Sequence, residues 1–141
     1  MEMENETRAA NVPMSFWVIT VLGLVWNTFG AYLYLLSKLD PVAAMAGASP
    51  AMRDFVATMP LWAHLGWSLG VWGSAAGSVL MLVRSRYAVP AFLISLLGAL
   101  TSFAGQALAG VLPLGLSAMI AVVIAFLWHY SRRSQQQGLL R

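Results

Sequence analysis

Residues 61–83 read LWAHLGWSLGVWGSAAGSVLMLV, and this stretch decides the fold class. It contains no charged residue, and a helix of this length is long enough to cross the hydrocarbon core of a bilayer. Residues 15–37, 88–109 and 112–130 form three more stretches that lack Asp, Glu, Lys and Arg. The sequence therefore predicts an all-α membrane protein in which four transmembrane helices form an antiparallel bundle.

The composition excludes most soluble classes of protein. Hydrophobic residues make up 60% of the 141 residues and charged residues only 9%, whereas soluble domains carry roughly a quarter charged residues. The net charge of +3 comes from basic residues beside the ends of the spans, where they contact lipid head groups and fix orientation. We therefore expect the lipid bilayer as a partner and no binding of nucleic acid. With no cysteine, the chain has no thiolate with which to bind a metal.

The distribution of Lys and Arg predicts the orientation. With four spans, both termini and the loop after the second span share one side, and only Lys38 and Arg53 of the eight basic residues fall on the other. The positive-inside rule makes the richer side cytoplasmic, in the inner membrane of a bacterium. Residues 1–14 are then a disordered cytoplasmic segment, and residues 134–141 are a disordered cytoplasmic tail.

The one long connection, residues 38–60, contains a helix signal. Ser49 is a suitable N-cap and Pro50 a suitable first helical residue. Apolar side chains then recur on one face of a helix: Met52, Phe55, Val56 and Met59. This pattern predicts a short amphipathic helix on the outer surface. A mobile loop is the alternative, because so short a helix is marginal without packing.

Small residues form a stripe along the second and third predicted spans. At spacings of four and three residues they share one face of a helix. The stripe of the second span is Gly66, Gly70, Gly73 and Gly77, and that of the third includes Ser95, Gly98, Ser102 and Gly105. Small faces let helix backbones approach closely in lipid, so these two spans should form the tightest contact of the fold. The alternative is that one stripe faces a second copy or a larger partner.

The polar residues inside the spans are few and uncharged. Asn27 lies near the middle of the first span, where an unpaired amide is costly, so it should hydrogen-bond to a neighbouring helix or line a wet cavity. Tyr34, His64 and Gln106 lie at similar depths in the first three spans, which places them in one candidate polar layer. Such a layer suits a small polar solute or the head group of a lipid or quinone. The alternative is that His64 and Gln106 merely bond each other or the loop backbone.

The absence of charged residues from the spans excludes several functions. Proton-coupled antiporters usually need an intramembrane carboxylate, and retinal proteins need a buried lysine. His64 and His129 would lie roughly 20 Å apart along the membrane normal, so one chain cannot hold a haem between them. The spans offer no acid, thiol or metal cluster for catalysis, and no cofactor or metal site is implied.

Several short segments together resemble a known family. They are Ser15-Phe16-Trp17, Trp26-Asn27 with Gly30 and Tyr32, Leu61-Trp62-Ala63, Gly70-Val71-Trp72-Gly73, and Arg84-Ser85-Arg86 with Ala88 and Phe92. In these segments the chain is similar to a family of small bacterial inner-membrane proteins, mostly uncharacterised, some of which are labelled sugar transporters without a demonstrated substrate. The resemblance covers about residues 15–133. It implies the same four-helix topology and carries over no catalytic residue.

Together these observations predict a non-enzymatic membrane protein that acts through helix association, as a homo-oligomer or as an accessory subunit of a larger membrane complex. The small-residue stripes and the uncharged spans favour this function. The alternative, favoured by the family resemblance, is a transporter or channel for a small sugar-like solute that works as a dimer. The expected partners are the bilayer and either a second copy or another membrane subunit.

Overall fold

The computed structural model describes residues 12–141. Of the predicted disordered segment at residues 1–14, residues 1–11 lie outside the described residues, and Met14 already belongs to the first helix. The described residues form six helices joined by short connections. These are α1 (Met14–Leu39), α2 (Pro41–Ala44), α3 (Pro50–Ala57), α4 (Leu61–Leu82), α5 (Ala88–Leu108) and α6 (Leu114–Gln136). Pro41 and Pro50 are the first residues of α2 and α3, where a missing backbone N–H is tolerated.

Four of these helices, α1, α4, α5 and α6, are long and apolar enough to cross a membrane. Each has 21 to 26 residues, and helices of this length cover about 30 Å of hydrocarbon. Many of their large apolar side chains face outward, among them Leu22, Leu97 and Val122. Such a surface suits lipid rather than water, so the chain is a multi-pass membrane protein.

The helix predicted for the first long connection is present as α3. Ser49 is its N-cap, and the Ser49 hydroxyl accepts a hydrogen bond from the backbone N–H of Met52 at 3.2 Å. The Arg53 side chain donates to the carbonyl oxygens of Met45 and Ala46, each at 3.0 Å. These bonds tie α3 to the turn after α2, and the buried Phe55 packs beside Gly105 of α5, which supplies the packing that so short a helix needs.

The most extensive helix contact in the described structure is between α4 and α5, as the small-residue stripes predict. A methyl group added to Gly66 would stand 2.8 Å from the carbonyl oxygen of Gly98, which is shorter than van der Waals contact. The Ser95 hydroxyl donates to the Gly70 carbonyl across the same interface at 2.6 Å. The other stripe residues also meet the facing helix: Gly73, Gly77, Ser102 and Gly105. Absent side chains therefore allow the two backbones to touch.

Besides the exposed pair of Lys38 and His64, two buried or half-buried hydrogen bonds between side chains join α1 to α4. The buried Asn27 donates from Nδ2 to the Ser78 hydroxyl at 2.6 Å. Further along the pair, the hydroxyl oxygens of Tyr34 and Ser68 lie 2.7 Å apart. The bond to a neighbouring helix predicted for Asn27 is thus present, and the two bonds together fix the rotation of α1 against α4.

A hydrophobic core joins the four long helices at one end, which we call the closed end. Its buried side chains are Phe16, Met81, Ala88, Phe92, Leu127 and Leu140. They come from the start of α1, the end of α4, the start of α5, the second half of α6 and the end of the chain. This core is where α1 and α6 pack together, with the rings of Phe16 and Tyr130 6.4 Å apart between centroids.

The end of the chain is ordered, so the prediction of a disordered tail at residues 134–141 is wrong. Helix α6 continues to Gln136, beyond the predicted end at residue 130, and Gly138, at a φ of +76°, ends it in a Schellman turn. Leu140 is buried in the closed end. The Arg141 backbone makes two hydrogen bonds of 2.8 Å to the turn between α4 and α5. Burial of the leucine side chain and these hydrogen bonds offset part of the entropy lost on ordering these residues.

Candidate functional site

A cavity of about 430 Å³ lies among the four long helices, at the end opposite to the closed end. Pockets that hold small organic ligands have volumes of this order. Its walls are mainly aromatic and aliphatic, and they include Trp26, Phe29, Leu33, Trp67, Val71, Phe103, Leu116, Ile120 and Ile124. Because packed interiors leave few voids larger than a water molecule, this cavity is the candidate functional site.

Uncharged polar side chains border the cavity at several points. They are Asn27, Ser74, Ser102, Gln106 and Ser117. Asn27 donates to Ser78 and Ser74 donates to the Val71 carbonyl oxygen, so Ser102, Gln106 and Ser117 are the groups that could hydrogen-bond to a molecule in the cavity. No lining residue in the described part of the chain is charged. The cavity is therefore an apolar chamber with a few free donors and acceptors.

The cavity opens sideways between α1 and α6, through a gap that we call the lateral opening. Phe29, Leu33 and Leu116 line the cavity and are also exposed at the surface, by 59%, 46% and 52%. The lining residues of α4 and α5, in contrast, include the buried Ser74 and Ser102. Because the exposed faces of spans contact lipid, the lateral opening faces the hydrocarbon of the bilayer.

Residues 41–60 connect α1 to α4, and we call them the cover. The cover lies across the end of the cavity that is farther from the closed end. Phe55 of α3 is buried and lines the cavity, and the half-buried Met52 and Val56 line it beside Phe55. A methyl group added to Gly105 would lie 3.6 Å from the Phe55 ring, so α3 packs onto the last turn of α5. The cover therefore separates most of the cavity from the aqueous side.

The structure brings together Tyr34 and His64 of the predicted polar layer but not Gln106. The rings of Tyr34 and His64 lie 6.4 Å apart between centroids, and Lys38 Nζ lies 3.2 Å from Nε2 of His64. Gln106 lines the cavity, which neither Tyr34 nor His64 borders. Depth in the membrane does not fix the direction in which a side chain leaves its helix. His64 faces α1 while Gln106 faces the interior, so the three residues do not form one site.

Comparisons with protein-family models, curated proteins and solved structures give no match to this chain. The family resemblance therefore stays a prediction from the short segments that carry it. Within residues 12–141, His, Asp and Glu side chains form no group of three that could hold a metal ion. The geometry of the cavity allows it to hold an uncharged molecule against apolar walls, and the polar side chains of the walls can hydrogen-bond to that molecule.

Sequence reasoning offered a cavity beside Asn27 only as an alternative, and it missed two features of the cavity. Ser117 was not identified as a candidate residue, and neither was the open space beside Gly30, where an added methyl group would meet no atom within 4 Å. One signal was present in the sequence, because a polar residue in mid-span such as Asn27 can indicate a cavity. In the structure Asn27 both bonds to Ser78 and borders the cavity.

Proposed function

We propose that the chain is a non-enzymatic protein of the bacterial inner membrane, with its four spans in an antiparallel bundle and both termini in the cytoplasm. Basic residues support this orientation. Those near the closed end are Arg84, Arg86, Arg132, Arg133 and Arg141, and those at the other end are Lys38 and Arg53. In this orientation α3 lies at the outer surface and covers the cavity from the periplasmic side.

Within that architecture, the proposed function is to bind a small uncharged molecule in the cavity, in order to hold it or to move it across the membrane. One observation carries this proposal: Ser102, Gln106 and Ser117 border a space of about 430 Å³ that no side chain fills. A concave, mainly apolar space with a few polar groups on its walls is typical of a site that binds a small molecule.

Association with a second copy or with another membrane subunit is the second candidate. The small-residue stripes that favoured association pack against each other within one chain. A partner would therefore have to contact another face. A shallow groove on the outer side of α1 offers one, and it is bordered by Leu24, Val25, Thr28, Phe29 and Tyr32. Thr28 favours this candidate, because a partner helix could satisfy its exposed hydroxyl.

Substitution of Gly30 tests the binding function. Leucine at this position would enter the cavity, and its Cβ would meet no atom within 4 Å, so α1 should still pack while the binding volume shrinks. Gly115→Leu is the matched control, because a Cβ there also meets nothing and Gly115 does not border the cavity. We expect native mass spectrometry in mild detergent to show one small molecule retained by wild type and by Gly115→Leu, and lost from Gly30→Leu.

Two outcomes of this experiment would contradict the proposal. If all three proteins carry no small molecule but do carry a second copy or another subunit, association is supported instead. If Gly30→Leu retains the small molecule as firmly as wild type does, the molecule binds outside the cavity.

A further inference from the structure

We infer that the cavity takes a lipid-soluble, uncharged amphiphile that enters sideways from the bilayer through the lateral opening. The molecule would have one or two carbonyl or hydroxyl groups on a long apolar body. This inference rests on the proposed binding function, and it specifies the class of ligand and the route of entry.

The route follows from the way in which α1 and α6 separate. At the closed end, a methyl group at Gly23 of α1 would lie 3.2 Å from Leu127 of α6. About two helical turns further along α1, a methyl group at Gly30 would meet nothing within 4 Å. The gap between α1 and α6 therefore widens from the closed end toward the cover.

Access from water is more restricted than access from lipid. On the aqueous side the cover lies across the cavity, with Phe55 only 8% exposed and packed beside Gly105 of α5. On the lipid side, Phe29 and Leu116 expose about half of their surface at the rim of the cavity. A molecule already dissolved in the bilayer reaches this rim without displacing the cover.

The lining of the cavity selects the class of ligand. Since no charged residue among the described ones borders the cavity, an ionised ligand would lose its hydration without gaining a counter-charge. Ser102, Gln106 and Ser117 provide hydrogen bonds for one or two carbonyl or hydroxyl groups. A sugar has more hydroxyls than these side chains can satisfy, and the others would face aromatic and aliphatic walls. The apolar body of an amphiphile suits those walls.

Photolabelling of the full chain in phospholipid vesicles tests the ligand class. One probe is a diazirine-bearing dodecanol, which dissolves in the bilayer, and the other is a diazirine-bearing glycoside, which stays in water. Label on Ser74, Ala99 or Ser102 reports entry into the cavity, because these residues line it and are buried from lipid. We expect the alcohol to label them, and a tenfold excess of plain dodecanol to lower that label by about tenfold. The excess of plain dodecanol should not lower the label on the lipid-facing Leu97.

Leu116→Trp tests the route of entry. A tryptophan at this half-exposed rim position should slow labelling of the cavity by the alcohol by about tenfold. The matched control is Val122→Trp, which lies on the same helix, is also exposed and does not border the cavity, so it should label at the wild-type rate. Melting temperatures of both variants show whether they are folded. A wild-type rate in folded Leu116→Trp would overturn the sideways route.

The outcomes separate this inference from the proposed function. Cavity labelling by the glycoside and not by the alcohol would overturn the inference and leave the binding function intact, because the ligand would then be water-soluble. Failure of both probes to label the cavity would contradict the inference. Loss of the binding function itself would appear independently, as a native mass spectrum of the wild type with no small molecule bound.

Discussion

Asn27 and Thr20 are both buried polar residues of α1, and they differ in whether a partner satisfies them. Asn27 donates to Ser78 at 2.6 Å. Thr20 is 1% exposed, yet its hydroxyl has no hydrogen-bond partner among the described residues. A buried polar group stabilises a fold when it is paired and destabilises it when it is not. Removal of these two groups should therefore have different effects on stability.

We expect Asn27→Ala to destabilise the protein and to be coupled to Ser78→Ala. The coupling energy in a double-mutant cycle should lie between about 0.6 and 1.7 kcal/mol, which are the average and the largest values for hydrogen bonds between membrane helices. Chemical unfolding of the four proteins in detergent measures it. A coupling energy near zero would mean that Ser78 is not the partner that stabilises Asn27.

Thr20→Val provides the contrast to Asn27→Ala. Valine keeps the shape of threonine and replaces the unpaired hydroxyl with a methyl group, so the free energy of unfolding should stay equal or rise. The same unfolding experiment measures it. A loss of more than about 1 kcal/mol would show that the Thr20 hydroxyl is paired in the folded protein.

Among the helices, the α4–α5 pair should tolerate the loss of a lipid-facing side chain better than the gain of one in the interface. Gly98→Leu places a side chain where even a methyl group would stand 2.7 Å from the Gly66 carbonyl oxygen, so the helices must separate. The neighbouring control, Leu97→Ala, shortens a residue that is 57% exposed. Thermal unfolding in detergent should give a much lower melting temperature for Gly98→Leu, and equal values would contradict the close packing.

The α4–α5 contact was predictable because its cause is local. Small residues at spacings of three and four produce a face without side chains, whatever the rest of the chain does. The cavity was not predictable, because it depends on the distance between α1 and α6, which are remote in sequence. Gly30 illustrates the difference: it is as small as Gly66, yet it borders open space. A small residue permits close approach and does not require it.

For the molecule as a whole, the prediction concerns orientation. Reporter fusions at Gly47 and after Arg141 should report opposite sides of the membrane, with Arg141 in the cytoplasm, because basic residues concentrate at the closed end. Gly47 suits an insertion, since it is exposed and an added Cβ there meets nothing within 4 Å. A periplasmic reporter after Arg141 would contradict the orientation.

The end of the chain shows what sequence reasoning misses at the scale of the whole molecule. Residues 134–137 are polar, which is typical of disordered segments. Leu140 is nevertheless buried, because the turn after α4 lies beside the end of α6 and hydrogen-bonds to the Arg141 backbone. That position exists only once the helices have packed, so no local pattern in the sequence could have indicated it.

Three of the side chains with which the cover closes the cavity are thioethers, namely Met45, Met52 and Met59. All three are half-buried rather than fully enclosed. An oxidant converts a thioether to a sulfoxide, which is polar and chiral and no longer matches an apolar wall. Under oxidative stress the cover would admit water, and enzymatic reduction of the sulfoxides would seal it again.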